Sequence, residues 1–267
     1  MIKSLILRLI FSAFFGAGLN LSPGAALADM QNLSLQGREF SLYVPQGLSG
    51  PAPLVVVLHG ALSSAEKFSK TLNLRGEADA RGFVLAYLNG TIVGRERRNR
   101  RSWNSGGGCC ASAGEAGVDD LDFIASVISS LVAQGYANGN KVYLVGHSNG
   151  AMMSYRFACE RSGMVAGVVG FSGVITANGC SNASGVRVLV VQGAQDPIVP
   201  VAGGGKKRIS GMSFRTLQST VDLLSGAGAS VEVVVLDGAE HSVADLDSAA
   251  RNEIGTSVTG LVGQFVR

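Results

Sequence analysis

The segment over residues 141–153 constrains the fold of this chain more than any other, because three local signals follow one another in it. A short apolar run leads into Gly146-His147-Ser148-Asn149-Gly150, and a stretch typical of a helix comes next. The two glycines allow a strand-to-helix turn that is too tight for larger side chains. The pattern therefore predicts that Ser148 stands above the end of a buried strand, at the amino terminus of the next helix.

Strands and helices alternate along the rest of the chain, which predicts an α/β fold with a mostly parallel central sheet and helices on both of its faces. Continuous apolar runs are typical of strands buried on both faces of a sheet. The short stretch over 172–185 leaves no room for a helical cap, so we expect no sizeable lid domain. Predicted strands span 38–44, 53–58, 83–88, 141–145, 165–171, 186–191 and 231–236, and predicted helices span 65–80, 118–134, 149–161, 214–224 and 246–266.

The amino terminus has the order of parts that is typical of a secretory signal peptide. Lys3 and Arg8 come before an apolar run over residues 9–19, and Ala26-Leu27-Ala28 provides a small-residue cleavage site. A membrane anchor or a buried helix is the alternative, although the run is short for a bilayer span. We therefore expect a signal peptide over 1–28, a single α/β domain over 29–267, and secretion to the periplasm or the medium.

Composition and charge exclude several classes of protein. Hydrophobic residues make up 46% of the chain and charged residues 15%, which favours a folded domain with a large core over disorder. Loss of Lys3 and Arg8 with the signal peptide would lower the formal net charge from +3 to +1. A nearly neutral mature chain has no electrostatic reason to bind nucleic acid, so we expect no such partner.

Four cysteines in a chain that is expected to be exported favour disulfides over reactive thiols. Cys159 is expected at the end of a helix and Cys180 in the loop after the next strand, so we predict that these two pair. Cys109 and Cys110 are adjacent, which leaves their partners open. The cysteines and histidines do not have the spacing of a zinc site, so no metal is expected.

A serine above a sheet edge needs a base before it can act as a nucleophile. Of the three histidines, His147 lies inside the turn, with its side chain expected to point away, and His59 ends a central strand. His241 remains, in a loop beyond the last predicted strand, from which it can reach Ser148. We therefore predict that Ser148 is a nucleophile and that His241 is its general base.

An acid that orients the histidine is expected near a strand end. Asp196 follows a predicted buried strand, and the chain order Ser148, Asp196, His241 is that of an α/β-hydrolase triad. An Asx turn before Pro197 is the other interpretation of Asp196. Asp245 is the second candidate, but it lies only four residues beyond His241 and at no strand end.

Backbone N–H groups of Ala61 and Asn149 are the expected donors to an oxyanion. Ala61 comes shortly after a strand that ends at His59, and Asn149 opens the helix of the serine turn. His59 is also expected to contact substrate at this edge of the sheet. Trp103 is the single tryptophan and lies in a long loop, where it either stacks on the substrate or packs on the core.

These segments resemble the polyhydroxybutyrate depolymerase and feruloyl esterase-like group of α/β-hydrolases. The resemblance implies hydrolysis of carboxylic esters outside the cytoplasm, with no cofactor, and a triad of Ser148, His241 and Asp196. Departures from the group include Gln192 in place of a histidine and Val201 in place of a tyrosine, and they bear on the substrate more than on the triad. The segments that carry the resemblance are 53–60, 101–104, 117–120, 146–155, 158–161 and 196–200.

The triad and the signal peptide predict a secreted serine esterase, and the resemblance implies that it acts on polyhydroxyalkanoate or hydroxycinnamoyl (feruloyl) esters. Without a lid, Ser148 is expected to open onto a broad surface, which suits a polymer or a bulky ester. A serine peptidase or amidase of the same fold is the alternative among enzymes. A non-catalytic binding protein that kept the fold is the alternative outside them, and the oligomeric state is left open.

Overall fold

The structure is a computed structural model that describes residues 29–92, 100–205 and 212–266, so the predicted signal peptide over 1–28 lies outside the described residues. The strands in these ranges are β1 (Gln31–Leu35), β2 (Arg38–Tyr43), β3 (Ala52–Leu58), β4 (Val84–Leu88), β5 (Thr91–Ile92), β6 (Arg101–Ser102), β7 (Ala137–His147), β8 (Gly167–Phe171), β9 (Arg187–Gly193) and β10 (Ser230–Leu236). The α-helices are α1 (Ala65–Thr71), α2 (Arg75–Arg81), α3 (Ala111–Glu115), α4 (Asp120–Ala133), α5 (Asn149–Glu160), α6 (Leu217–Gly226), α7 (Val243–Glu253) and α8 (Val258–Phe265).

An eight-stranded sheet forms the centre of the fold, in the order β1-β2-β4-β3-β7-β8-β9-β10. The strands from β4 to β10 in this order all pair in parallel, and β2 pairs antiparallel with both β1 and β4. Parallel pairing brings the carboxyl ends of β3, β7, β9 and β10 to one edge of the sheet. The predicted α/β-hydrolase architecture, with a mostly parallel central sheet, is confirmed.

Both faces of the sheet are covered, because side chains of each strand alternate between two apolar clusters. In β3, Leu54 and Val56 join the cluster beneath α4, α5 and α6, whereas Val55 and Val57 join the cluster beneath α1, α2, α7 and α8. All four side chains are at most 1% exposed. Each such burial contributes roughly 1.5–3 kcal/mol of transfer free energy, so the sheet is held from both sides.

Two predicted helices are each divided in the structure. The predicted helix over 65–80 is α1 followed by α2, because the chain leaves the helix at Leu72 and both Leu72 and Leu74 become fully buried. The Asn73 side chain accepts a hydrogen bond from the Arg75 N–H at 3.1 Å and stabilises this turn. The predicted helix over 246–266 is α7 followed by α8, with Gly255 between them at a φ of 71°.

The stretch between β8 and β9 begins at the edge of the sheet that carries Ser148. No helix forms between Phe171 and Arg187, the stretch in which the sequence left no room for a helical cap. Strand β1 and helix α3 were not predicted, and both are only five residues long. None of the helices in the described ranges is long and apolar enough to cross a bilayer.

Candidate active site

Ser148 lies at a sharp turn between β7 and α5, with φ 54° and ψ −122°. Residues other than glycine rarely adopt this backbone conformation, so contacts with the surrounding structure must hold the turn in place. The Ser148 N–H donates to the Phe171 carbonyl at 2.8 Å. A Cβ atom at Gly146 would overlap the Gly150 carbonyl, and one at Gly150 would overlap the Leu58 carbonyl, so the turn requires both glycines.

The side chains of Ser148, His241 and Asp196 form one hydrogen-bonded chain. His241 Nε2 lies 3.0 Å from Ser148 Oγ, and His241 Nδ1 lies 2.7 Å from Asp196 Oδ2. A carboxylate only accepts, so Nδ1 carries a proton and Nε2 of the neutral ring is left to accept from the serine hydroxyl. The structure thus brings together the three side chains that the sequence predicted, from positions 45 and 93 residues apart along the chain.

Asp196 is only 3% exposed, and each of its carboxylate oxygens has protein donors. Oδ1 accepts from the N–H groups of Ile198 and Val199 at 2.8 and 2.9 Å. Oδ2 accepts from Gln192 Nε2 at 3.0 Å in addition to His241. These bonds orient the carboxylate, and the Asx turn that was weighed as an alternative coexists with the contact to His241.

Asp245, the second candidate for the acid, has a different position. It is the third residue of α7, where its carboxylate accepts from the Ser242 backbone N–H at 3.3 Å and its own N–H donates to Ser242 Oγ at 3.1 Å. These reciprocal bonds form a capping box at the start of the helix. Asp245 therefore stabilises a helix end, while Asp196 holds the imidazole of His241.

Ala61 and Asn149 lie with Ser148 in the lining of one cavity. In the part of the chain that the structure describes, neither backbone N–H donates to a protein group. The N–H of Asn149 is one of the free donors that every helix has in its first turn. Both N–H groups are therefore free to bind an oxygen atom at the serine.

His59 and Trp103 are both fully buried and do not line the cavity, contrary to the expectation that they contact substrate. Their hydrogen bonds explain the burial. His59 Nδ1 lies 2.8 Å from the Gly60 carbonyl, its Nε2 accepts from the Gly90 N–H at 3.0 Å, and Trp103 Nε1 donates to the His59 carbonyl at 2.9 Å. Burial lowers the pKa of His59 to about 4, so the ring stays neutral. Both residues support the loop that carries Ala61.

The Asn149 side chain has a role that the sequence did not indicate. Its Oδ1 accepts from the Trp103 N–H at 2.7 Å, and its Nδ2 donates to the Trp103 carbonyl at 3.0 Å and to Ser105 Oγ at 3.2 Å. Because the Asn149 amide is bonded to both the N–H and the carbonyl of Trp103, it fixes the backbone at Trp103 in place. The helix that begins at the serine turn therefore also holds the loop around Trp103.

His147 was expected to point away from the site, but its ring lies 5.1 Å from the ring of His241, centroid to centroid. Its Nε2 is 2.8 Å from the backbone carbonyl of His241. The other side of the ring stacks on Phe68 of α1, with 6.0 Å between centroids. Sequence reasoning missed this contact, because it depends on a loop 94 residues away.

A cavity of about 440 Å³ opens at Ser148 and His241. No lysine, arginine, aspartate or glutamate lies among the described residues that line it. Met152, Val199 and Phe214 belong to a small apolar cluster on one side, which also contains Cys109 and Cys110. Leu62 and Phe68 are apolar lining residues elsewhere in the cavity. A cavity with this lining is suited to a neutral, largely apolar group.

Within the described ranges the cysteines lie as two close pairs, Cys109 with Cys110 and Cys159 with Cys180. The Cα atoms of Cys159 and Cys180 are 4.9 Å apart, a separation that is ordinary for a disulfide. Cys159 lies at the end of α5 and Cys180 in the loop after β8, which are the positions that the sequence predicted for them. The described residues contain no cluster of potential metal ligands.

Comparison with known proteins identifies the family. A family model described as esterase PHB depolymerase, where PHB is polyhydroxybutyrate, matches residues 38–245. The chain belongs to the PHB depolymerase esterase family. The match extends from β2 to the first turn of α7, so it includes every residue of the hydrogen-bonded chain from Ser148 to Asp196. The predicted resemblance is confirmed, and membership in this esterase family supports the expectation of a serine ester hydrolase.

Curated relatives of this PHB depolymerase-family chain also have esterase names. One relative is NocK of Nocardia uniformis subsp. tsuyamanensis, whose name marks it provisionally as an esterase. It is 31% identical over 160 residues, which are 57% of this chain and 42% of NocK. Feruloyl esterase B of Talaromyces funiculosus is 27% identical over 158 residues, which are 59% of this chain and 40% of that protein. The matched region thus spans less than half the length of these two relatives.

Solved structures with the same fold align with most of this chain. An acetyl xylan esterase from Aspergillus awamori has a TM-score of 0.60 at 14% identity, over 85% of this chain and 99% of that one. The poly(3-hydroxybutyrate) depolymerase LpqC from Bordetella parapertussis has a TM-score of 0.59 at 16% identity, over 91% of this chain and 96% of that one. At these identities the likeness is one of fold.

Proposed function

We propose that this chain is a serine carboxylic ester hydrolase in which Ser148, His241 and Asp196 carry out acyl transfer. The observation that carries the proposal is the hydrogen-bonded chain from Ser148 Oγ to His241 Nε2, at 3.0 Å, and from His241 Nδ1 to Asp196 Oδ2, at 2.7 Å. These distances permit proton transfer from the serine hydroxyl to the imidazole. Membership in an esterase family supports the same conclusion.

The reaction proceeds in two halves. His241 takes the hydroxyl proton while Ser148 Oγ attacks the ester carbonyl, and the N–H groups of Ala61 and Asn149 bind the oxygen that becomes negative. The imidazolium, stabilised by Asp196, then gives its proton to the departing alcohol and leaves an acyl-serine. A water molecule repeats the sequence, with His241 as base and then acid, and releases the carboxylic acid.

The contribution of the Ala61 N–H can be tested by removing the donor. Ala61→Pro is expected to lower kcat about 10²- to 10³-fold, because proline has no N–H to offer the oxyanion. Ala61→Gly keeps the donor and is the matched control, with kcat expected within about threefold of wild type. Steady-state kinetics on p-nitrophenyl acetate measure both, and a proline variant as active as the glycine variant would exclude Ala61 as a donor.

For the substrate, we propose neutral carboxylic esters with a bulky or polymeric component, either polyhydroxyalkanoate or hydroxycinnamoyl esters. The described lining residues include no lysine, arginine, aspartate or glutamate, which supports a neutral group at the serine. The absence of a helix between Phe171 and Arg187 supports access for a chain or a large alcohol. Relatives and neighbours named as feruloyl esterase and poly(3-hydroxybutyrate) depolymerase are consistent with both substrate classes.

A labelling experiment combined with a substrate panel tests this function. A fluorophosphonate probe is expected to label the wild-type chain and not Ser148→Ala, because only the activated serine attacks phosphorus. Hydroxybutyrate oligomers, methyl ferulate and a matched amide are then assayed side by side. An unlabelled wild type supports the non-catalytic binding protein, and amide hydrolysis at a rate similar to that of the ester supports the peptidase or amidase alternative.

We also propose that the chain is exported and that its cysteine pairs are disulfides. The order of charged, apolar and small residues over 1–28 supports cleavage after Ala28. The separation of Cys159 and Cys180 supports a disulfide, which persists in oxidising compartments. Recovery of the chain only in the cytoplasm, with residues 1–28 still attached, would contradict export, and a non-reducing mass map that shows Cys159 and Cys180 as free thiols would contradict their disulfide.

A further inference from the structure

His147 is the one histidine near the site that the proposed reaction does not use. It is the last residue of β7 and directly precedes Ser148. Its backbone is fixed by the parallel pairing of β7 with β8, where it lies opposite Phe171. Its ring is confined between Phe68 on α1 and the loop that carries His241. The side chain therefore has little freedom to adopt another orientation.

The hydrogen bond of His147 determines which ring nitrogen carries the proton. Nε2 lies 2.8 Å from the His241 backbone carbonyl, and a carbonyl oxygen can only accept. Nε2 must therefore be the protonated nitrogen and the donor. Burial, and next the neighbouring His241, lower the pKa of His147 to about 4, so the ring is neutral at ordinary pH. The facing groups that bear on its charge are His241 and Asp196.

The loop that carries His241 is attached to the rest of the fold on both sides of the histidine, and the Gln195 N–H donates to the Ala239 carbonyl within it at 3.0 Å. On one side, the N–H groups of Asp237 and Gly238 donate to Glu253, at 2.9 Å each. On the other, Ser242 is held in the capping box of α7. Between these attachments, the bond from His147 reaches the main chain of His241 directly. One hydrogen bond thus joins His147, which directly precedes the proposed nucleophile Ser148, to His241, the proposed base that takes the proton of Ser148.

We propose that His147 is a positioning residue, which sets the distance between Ser148 Oγ and His241 Nε2 by donating from its own Nε2 to the His241 carbonyl. This inference rests on the proposed roles of Ser148 and His241. Without the bond, the histidine loop can move relative to the serine turn. A displacement of about 1 Å between reacting groups can reduce turnover about 100-fold, so the effect falls on kcat rather than on KM.

Two variants separate the donor from the ring. His147→Phe keeps a ring that can pack on Phe68 but has no N–H, whereas His147→Gln loses the ring and keeps an amide donor near the position of Nε2. We expect His147→Phe to lower kcat on p-nitrophenyl acetate about 10- to 100-fold with KM within about threefold. His147→Gln is expected to recover kcat to within about fivefold of wild type. Wild-type kcat in the Phe variant, or equal losses in both variants, would overturn the proposal.

The protonation state of His147 offers a second test, which is read from the wild-type protein. The chain contains only three histidines, so ¹⁵N spectra of histidine-labelled wild-type protein are simple, and His147→Gln assigns one set of signals. We expect His147 in the Nε2–H form and His59 in the Nδ1–H form, because His59 Nε2 accepts from the Gly90 N–H. An Nδ1–H form of His147 could not donate to His241 and would refute the inference.

The two levels of proposal fail separately. If Ser148→Ala keeps its activity and its fluorophosphonate label, the proposed function is wrong and His147 has no base to position. If Ser148→Ala loses both while His147→Phe turns over like wild type, the function stands and only the role of His147 is wrong. Thermal unfolding of each variant, monitored by circular dichroism, verifies that the compared proteins are folded.

Discussion

Asp196→Asn is expected to lower kcat on a short ester about 10³- to 10⁴-fold at neutral pH, with little change in KM. The structure determines how the asparagine amide must lie. The N–H groups of Ile198 and Val199 both donate to Oδ1, so the amide oxygen must occupy that position. The NH₂ group then faces His241 Nδ1, which has to accept instead of donate. Nε2 consequently carries the proton and can no longer take one from Ser148.

Asp245→Asn is the matched control, because it makes the same change in a carboxylate four residues beyond His241. It weakens the capping box with Ser242 and is expected to cost roughly 0.5–2 kcal/mol of stability, with kcat within about twofold of wild type. Initial rates and thermal unfolding measure the two effects. If Asp196→Asn retained more than a tenth of wild-type kcat, or if Asp245→Asn were the slower variant, the assignment of the acid would be wrong.

Arg38→Met is expected to destabilise the fold by about 3–5 kcal/mol, because it leaves a buried carboxylate without its counter-charge. Arg38 Nη1 lies 2.6 Å from Asp120 Oδ1, and the Asp120 side chain is 0% exposed. Asp120 Oδ2 also accepts from the Asn104 N–H at 2.6 Å, next to Trp103. The guanidinium lies 3.9 Å from the ring centroid of Phe123. The ion pair thus connects β2 and α4 to the loop that supports the site.

The destabilisation by Arg38→Met depends on pH with a defined sign. Burial raises the pKa of Asp120 above its ordinary value even with Arg38 beside it, and removing Arg38 raises that pKa further. A carboxyl group whose pKa is higher in the folded chain than in the unfolded chain costs stability in full above the folded pKa, and this cost is lost as the pH falls through the folded pKa towards the unfolded one. The difference in unfolding free energy between wild type and variant is therefore expected to be smaller at pH 5 than at pH 7.

Urea unfolding at the two pH values measures this difference. Lys70→Met is the matched control, since it removes a cation from a pair on α1 with Glu66 in which both side chains are at least 70% exposed. An exposed pair of this kind contributes about 0.5 kcal/mol or less. Equal losses of unfolding free energy for Arg38→Met and Lys70→Met would mean that the buried ion pair does not stabilise the fold more than an exposed pair does. If the difference in unfolding free energy between wild type and Arg38→Met were larger at pH 5 than at pH 7, the predicted pH dependence would be wrong.

Much of the site could be predicted because its residues occur at element ends that local patterns mark. The glycines beside Ser148, the apolar run before Asp196 and the position of His241 beyond the last strand are all visible in the sequence. In a parallel sheet, the order of strands brings such ends to one edge without knowledge of any individual contact. The nucleophile, base and acid candidates were therefore available before the structure.

Other residues could not be placed, because their surroundings are made by distant parts of the chain. His59 was a candidate for substrate contact from its position at a strand end, and Trp103 from its place in a long loop, with core packing as the alternative, but each is fully buried in the structure. Their burial follows from hydrogen bonds to one another and to Gly90, which no periodicity reveals. The division of the helix at Leu72 likewise depends on which leucines the neighbouring sheet can cover.

The sequence by itself determined the alternation of strands and helices, the serine turn and the chain order of the three candidate residues, since each depends on neighbours within a few positions. Only the tertiary structure decided which nitrogen of His147 meets the His241 carbonyl, which oxygen of Asp196 meets the imidazole, and that Arg38 neutralises Asp120. His241 and Asp196 are 45 positions apart in the sequence, and His147 and His241 are 94 positions apart. The geometry of such contacts exists only once both faces of the sheet have packed.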